Sequence, residues 1–230
     1  MRRRSRGFTI LELAISLALV VALLSILLPA LSSARASSAR EECAAHLRAC
    51  GQAWQIFLED NRGQFPYLPV QPGWHYGGVR FSAVDDHPFL DSQRPLNAYL
   101  PDGPVAGADL LHCPADIGIT GETSGVGTGR RSAYRSFGTS YRANATLLDD
   151  QRADAPRGLR REEITTTASR LVVMGDPFWY EIQTRTGRRA DWHGEERMGN
   201  LLFLDGAVKF MTIFPPPRVG PAVFEPRLID

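Results

Sequence analysis

Few side chains in this chain are placed to do chemistry. Asp191, His193 and Asp205 are the best candidates for a metal or acid–base cluster, because imidazole and carboxylate together suit zinc or calcium-type ions. Against that, no second histidine stands at a ligand spacing from His193, and Asp205 precedes Gly206 between two apolar runs, which already accounts for it as a turn residue. His75, His87 and His112 are scattered. The glycine-rich stretch from Gly125 to Arg130 lacks the strand before it and the helix after it that a phosphate loop needs, so it reads as a loop. Ser132 and Ser140 have no activating neighbour in sequence. No catalytic residue is assigned, and the chain reads as a non-enzyme.

Three cysteines, Cys43, Cys50 and Cys113, are too few for a disulfide scaffold and lack the paired spacing of a zinc knuckle. On one helix Cys43 and Cys50 would lie roughly 10 Å apart, beyond disulfide reach. At most one of them can pair with Cys113, and the expectation is buried small apolar thiols.

The remaining ionisable residue of note is Glu12, because of what surrounds it. From Phe8 to Leu31 the chain reads FTILELAISLALVVALLSILLPAL, about 24 residues and long enough to cross a ~30 Å hydrocarbon core. Arg2, Arg3, Arg4 and Arg6 precede it and should stay on the cytoplasmic side, with everything after Leu31 outside. The run is longer than a signal-peptide core. A carboxylate within it costs on the order of 3 kcal/mol, so it calls for a specific partner. Over the whole chain the charge is balanced, 26 basic against 25 acidic residues for a net +1, which argues against a polyanion-binding protein. Nucleic acid is not an expected partner.

The segment RGFTILELAISLALVVALL resembles the leader and anchor of type IV prepilins and type II secretion pseudopilins. The resemblance implies cleavage after Gly7 by a prepilin peptidase, N-methylation of the new terminus at Phe8, and a role for Glu12, fifth in the mature chain, in neutralising the terminal amine of an adjacent subunit. It also implies a helix bend at Pro29, where the ring removes a backbone hydrogen bond. Shorter pieces extend the likeness to a branch of prepilin-type proteins abundant in planctomycete-like bacteria: LEDNRGQFP, LHCPAD, GTSYRAN and HGEERMGNLLFLDGAVKFM. That branch carries a histidine, nine residues, then Asp-Gly; here eleven separate His193 from Asp205, which weakens any carry-over of a His–Asp contact. Some major pseudopilins hold calcium in acidic loops near the C-terminus, so calcium is the cofactor the resemblance allows, and otherwise none is expected.

The elements that would position these residues follow from pattern. After Leu31 the composition shifts to an Ala-, Arg- and Glu-rich, proline-free stretch in which Leu47, Cys50, Trp54 and Phe57 or Leu58 recur at three- and four-residue steps, the stripe of a helix with one face packed. Asp60-Asn61-Arg62-Gly63 supplies a stop, and Pro66 bars continuation. Beyond it short apolar stretches between turn residues predict strands and loops. Asn200–Leu204 and Ala207–Met211 around Asp205-Gly206 read as a two-residue hairpin. The continuous run Arg170–Met174 reads as a central strand. FPPPRVGPAVFEPRLID at the C-terminus reads as an extended strip or tail.

The expected fold is α+β and pilin-like: a leader at 1–7, a transmembrane and assembly helix at 8–31, the soluble half of the helical spine at 32–62, and a head with a small antiparallel sheet at 63–230. The expected function is a structural subunit of a type II secretion or type IV pilus-like filament. It would be single-pass in the inner membrane with a periplasmic head. Like subunits, the peptidase and methyltransferase, and the inner-membrane assembly platform would be its partners. The alternative is a membrane-tethered binding protein that never polymerises.

Overall fold

The computed structural model describes residues 9–69, 73–79, 94–101, 109–119, 132–150, 156–177, 192–193, 198–212, 222–224 and 227–228. Gly7, Phe8 and Asp191 lie outside them. The chain divides into two compact units, residues 1–38 and 39–230. One helix, α1 (Ile10–Asp60, 51 residues), contributes to both.

In the first unit α1 is apolar all round. Its large side chains are exposed without exception, from Ile10 at 89% through Leu23 at 68% to Ile26 at 73%. Among the described residues this is the helix long and apolar enough to cross a membrane, and its side chains are those that lipid would solvate. Its hydroxyls bond back to the helix, Ser16 Oγ to the Glu12 carbonyl and Ser25 Oγ to that of Ala22, as polar groups in an apolar solvent must. The helix is continuous through Pro29, so the proline does not melt it.

In the second unit α1 has one buried face: Cys43, Ala44, Leu47, Cys50, Gly51, Ala53, Trp54, Phe57 and Leu58. These include the stripe that the sequence predicts. The helix stops where expected, in a double hydrogen bond of the Schellman type, Gly63 N–H to the Leu58 carbonyl and Arg62 N–H to that of Glu59. Both Arg62 and Gly63 are left-handed.

The second unit is built on a four-stranded sheet of β1 (Arg142–Ala143), β2 (Val172–Gly175), β3 (Met198–Phe203) and β4 (Val208–Thr212). The strands lie in the order β1-β2-β3-β4 with every pair antiparallel. β2 is interior and buried along its whole length, in line with its uninterrupted apolar run. Among the described residues the α-helices beyond α1 are short, α2 (Ala133–Phe137) and α3 (Ala145–Leu148). One long N-terminal helix with a small antiparallel sheet is the α+β, pilin-like arrangement the pattern predicts.

The β3–β4 hairpin forms but with a longer loop than predicted. Leu202 pairs with Val208, and Phe203 N–H still bonds the Ala207 carbonyl. Gly206 N–H closes a turn on the Phe203 carbonyl, and only Gly206 of the Asp-Gly pair has positive φ (85°). Asp205 keeps ordinary backbone angles because its Oδ1 accepts the Ala207 N–H at 3.0 Å. That local bond substitutes for the doubly left-handed turn.

The described parts of the C-terminal strip are tied down. Val223 bridges Leu171 in parallel and Leu228 bridges Ile164. The Asn144 side-chain amide donates to the carbonyls of both Val172 and Phe224, so one buried residue fastens the strip to β2.

A charged clasp closes the segment before β2. Arg157 donates two hydrogen bonds to Glu163, at 2.8 and 2.5 Å, and its guanidinium lies 3.2 Å from Asp150. The Arg157 bonds hold the Glu163 carboxyl down at about 2. Because the folded value lies below the unfolded one, the clasp's stabilisation is complete above the ordinary glutamate range and is lost as pH falls from there towards 2. Glu163→Gln should therefore lower the denaturation midpoint at pH 7 and converge on the parent protein near pH 2, which paired urea titrations would measure.

Candidate functional site

Two places gather polar groups against an apolar background. The first is the start of α1. Thr9 N–H and Thr9 Oγ both donate to Glu12 Oε2, at 2.9 and 2.8 Å, and Glu12 N–H donates back to Thr9 Oγ at 3.2 Å. This is a reciprocal capping box, formed because the first turn of a helix has amide donors that no helical carbonyl satisfies. Thr9 and Glu12 are the right residue types at the right spacing for it. The box occupies Oε2; the second carboxylate oxygen, Oε1, takes no part in it. Phe8, whose amine the resemblance pairs with this carboxylate, lies outside the described residues with Gly7.

The second place is buried where α1 meets the sheet. Cys43 on α1 is joined to Cys113 by a disulfide, with Cα atoms 5.2 Å apart. This is one of the two pairings with Cys113 that the spacing left open, and it departs from the expectation of buried thiols: Cys50 alone is free, and it is buried. Spacing excluded the Cys43–Cys50 pair but carried no signal for Cys43–Cys113, which are 70 residues apart and meet only through tertiary packing. On the chain-entropy account a loop of that length makes the bond worth about 4 kcal/mol.

Beside the disulfide lies His193. Its Nε2–H donates to Asp176 Oδ2 at 3.0 Å, and Nε2 is 3.9 Å from Cys113 Sγ. Both side chains of the His–Asp pair are fully excluded from solvent. Asp176 follows β2, and Asn200 on β3 crosses to it twice, Asp176 N–H to the Asn200 carbonyl at 3.0 Å and Asn200 N–H to Asp176 Oδ2 at 2.7 Å. The strands can approach this closely because residue 175 is glycine: a Cβ there would stand 2.5 Å from the Asn200 carbonyl oxygen. Asn200 also reaches α1, its side-chain amide donating to the Arg40 carbonyl at 3.3 Å. Phe210 lies edge-on to His193 and carries the Arg40 guanidinium 4.7 Å over its ring.

Of the residues singled out by sequence, His193 is here, Asp205 is in the hairpin turn bonded to Ala207, and Asp191 is not described. His193 takes its carboxylate from Asp176. Among the described residues, the group with metal-type ligand atoms close together is Cys43, Cys113 and His193, all within 4.8 Å of one another. Asp176 was missed because it stands seventeen positions before His193, too far for any local spacing rule. Its position directly after a fully apolar strand and a glycine is the one clue the sequence offers.

Cys113 is further anchored through the LHCPAD segment. Asp116 accepts bonds from Gly118 N–H, Ala133 N–H, Tyr134 N–H, Ser132 Oγ and Ser140 Oγ. This hub accounts for both serines as structural donors and fixes the loop that presents Cys113 to α1.

Thiol counting tests the pairing. Burial pushes the Cys50 thiol up to about 12, so it should resist alkylation in the native chain. Denaturation without reductant should expose one reactive thiol, and reduction should raise the count to three; three without reduction would rule the disulfide out.

Comparison with protein families matches the chain to the prokaryotic N-terminal methylation motif over residues 2–28. Comparison with curated proteins and with solved structures gives no match. The matched segment takes in the arginines, Gly7, Phe8, the Thr9–Glu12 box and most of the exposed apolar half of α1. Over that segment the chain is similar to prepilin-like proteins, and it carries the methylation motif on a helix long and apolar enough to cross a membrane.

Proposed function

We propose that the chain is a pseudopilin, a structural subunit of a type II secretion or type IV pilus-like filament assembled from the inner membrane to drive protein export. One observation carries the reading: Glu12 is the one acidic residue in the apolar, exposed first half of α1 and is fifth after the Gly7–Phe8 junction. Cleavage after Gly7 creates an amine at Phe8, which N-methylation leaves charged. In a bundle of such helices the amine of one subunit meets the carboxylate of the next. Pairing removes the cost, on the order of 3 kcal/mol, of a lone carboxylate at lipid depth. The capping box holds that carboxylate at the helix start while leaving Oε1 to receive the amine.

In this reading residues 1–7 are the leader, 8–31 the transmembrane and assembly helix, 32–62 the soluble half of the spine, and 63–230 the head. The basic leader faces the cytoplasm and the head lies in the periplasm. The Cys43–Cys113 disulfide supports that orientation on separate grounds, since such bonds persist in oxidising compartments. The partners are like subunits, the prepilin peptidase and methyltransferase, and the inner-membrane assembly platform. The work is mechanical, and no catalytic residue is invoked.

Intact-mass measurement of the mature protein tests the processing: the chain should begin at a methylated Phe8, and replacing Gly7 should leave the leader in place. Crosslinking in cells tests the assembly in the same strains. A ladder of anchor-to-anchor products is expected, reduced to monomer by Glu12→Gln; a processed chain that stays monomeric throughout would mark a tethered binding protein.

A further inference from the structure

The buried Cys43–Cys113–His193–Asp176 cluster contains more ligand capacity than the oxidised fold uses. His193 Nδ1 and Asp176 Oδ1 are buried and have no hydrogen-bond partner among the described residues. Buried polar atoms are almost always paired, so two orphans in adjacent side chains beside two sulfurs call for an explanation. The disulfide accounts for the sulfurs alone.

We propose that the dithiol form of this chain holds one zinc-class divalent cation between Cys43 Sγ, Cys113 Sγ, His193 Nε2 and a carboxylate oxygen of Asp176. Two thiolates, an imidazole and a carboxylate are ligands that zinc takes, in a closed four-coordinate site. The spacing suits the two sulfurs and the ring nitrogen, whose ligand atoms lie within 4.8 Å of one another. Zinc bonds of about 2.0–2.3 Å place tetrahedral ligands roughly 3.3–3.8 Å apart; here Nε2 is 3.9 Å from Cys113 Sγ, and Asp176 Oδ2, 3.0 Å from Nε2, completes the set from the imidazole side. Three of the four ligands are already held from outside: Asp176 by the Asn200 amide, Cys113 by the Asp116-anchored loop, Cys43 by its place on α1. Such support is what fixes ligand orientation in metal sites.

The two states exclude each other. A newly made chain carries both cysteines as thiols. Cation binding releases their two protons and moves the Nε2 proton of His193 to Nδ1, the ring nitrogen that lacks a partner in the oxidised fold. Oxidation takes two electrons from the two sulfurs to a disulfide oxidant, which is reduced to its dithiol, and the cation leaves as the S–S bond forms. In both states α1 is bound to the loop bearing Cys113, first through metal and then covalently. The proposal stands whether or not the chain polymerises.

The test uses the full chain in detergent, reduced with a dithiol that closes to its own disulfide as Cys43–Cys113 opens, then freed of reductant and titrated with Co²⁺ as a spectroscopic probe and with Zn²⁺. Expected are one Co²⁺ per reduced chain with thiolate-to-cobalt absorption, its displacement by Zn²⁺, and a rise in thermal midpoint on binding. The oxidised chain, a folded control needing no substitution, should bind none. His193→Ala and Asp176→Ala should lose or weaken the absorption, and Cys50→Ala should keep it. A reduced chain that takes up no cobalt, whether folded or not, overturns the proposal, as does equal binding by the oxidised chain or loss of binding in Cys50→Ala.

Discussion

A single helix that must satisfy two solvents governs this molecule. α1 is one continuous helix, yet its first half exposes every large apolar side chain while its second half buries one face and leaves charge on the other. Away from its two ends and from the Pro29 ring, which has no N–H, the helix satisfies its own backbone groups, so side chains decide the surroundings, and that is the condition for a helix to leave a bilayer and enter a folded domain. The only acidic residue in the apolar half, Glu12, sits where the unsatisfied amides of the first turn can bond it.

The head is organised around the buried face of that helix. The disulfide from Cys43, the Asn200 contact with the Arg40 carbonyl and the Gln55 bond to the Leu204 carbonyl join this part of α1 to the loop bearing Cys113, to β3 and to the β3–β4 turn. Between them pack Leu47, Cys50, Trp54 and Leu58 within the apolar core. Polar groups inside this region are arranged as hubs, with one carboxylate or amide serving several backbone groups: Asp116 for the LHCPAD loop, Asn144 for the C-terminal strip, Asp176 for the β2–β3 seam. This follows from having short strands and long connections. Ladder hydrogen bonds are few, and buried backbone groups outside them need side-chain partners.

The functional reading and the buried cluster depend on different physics. The proposed anchoring and assembly rest on hydrophobic length and on one charge in a low-dielectric medium, both local properties of residues 2–28. The cluster rests on side chains from distant parts of the chain: the ligand atoms of Cys43, Cys113 and His193 lie within 4.8 Å of one another, and Asp176 Oδ2 lies 3.0 Å from His193 Nε2.

That division also separates what was legible from what was not. The sequence by itself determined the apolar span, the amphipathic stripe, the helix stop at Asn61–Gly63, the interior character of Val172–Met174 and the hairpin near Asp205-Gly206, because each is set by side-chain period or by the conformational preference of one or two residues. The tertiary structure alone decided that Cys43 pairs with Cys113, that His193 takes Asp176 as its carboxylate, and that Asp205 closes a longer loop through its own side chain. Those outcomes depend on which distant segments share a core, and no spacing along the chain encodes a meeting across 70 residues.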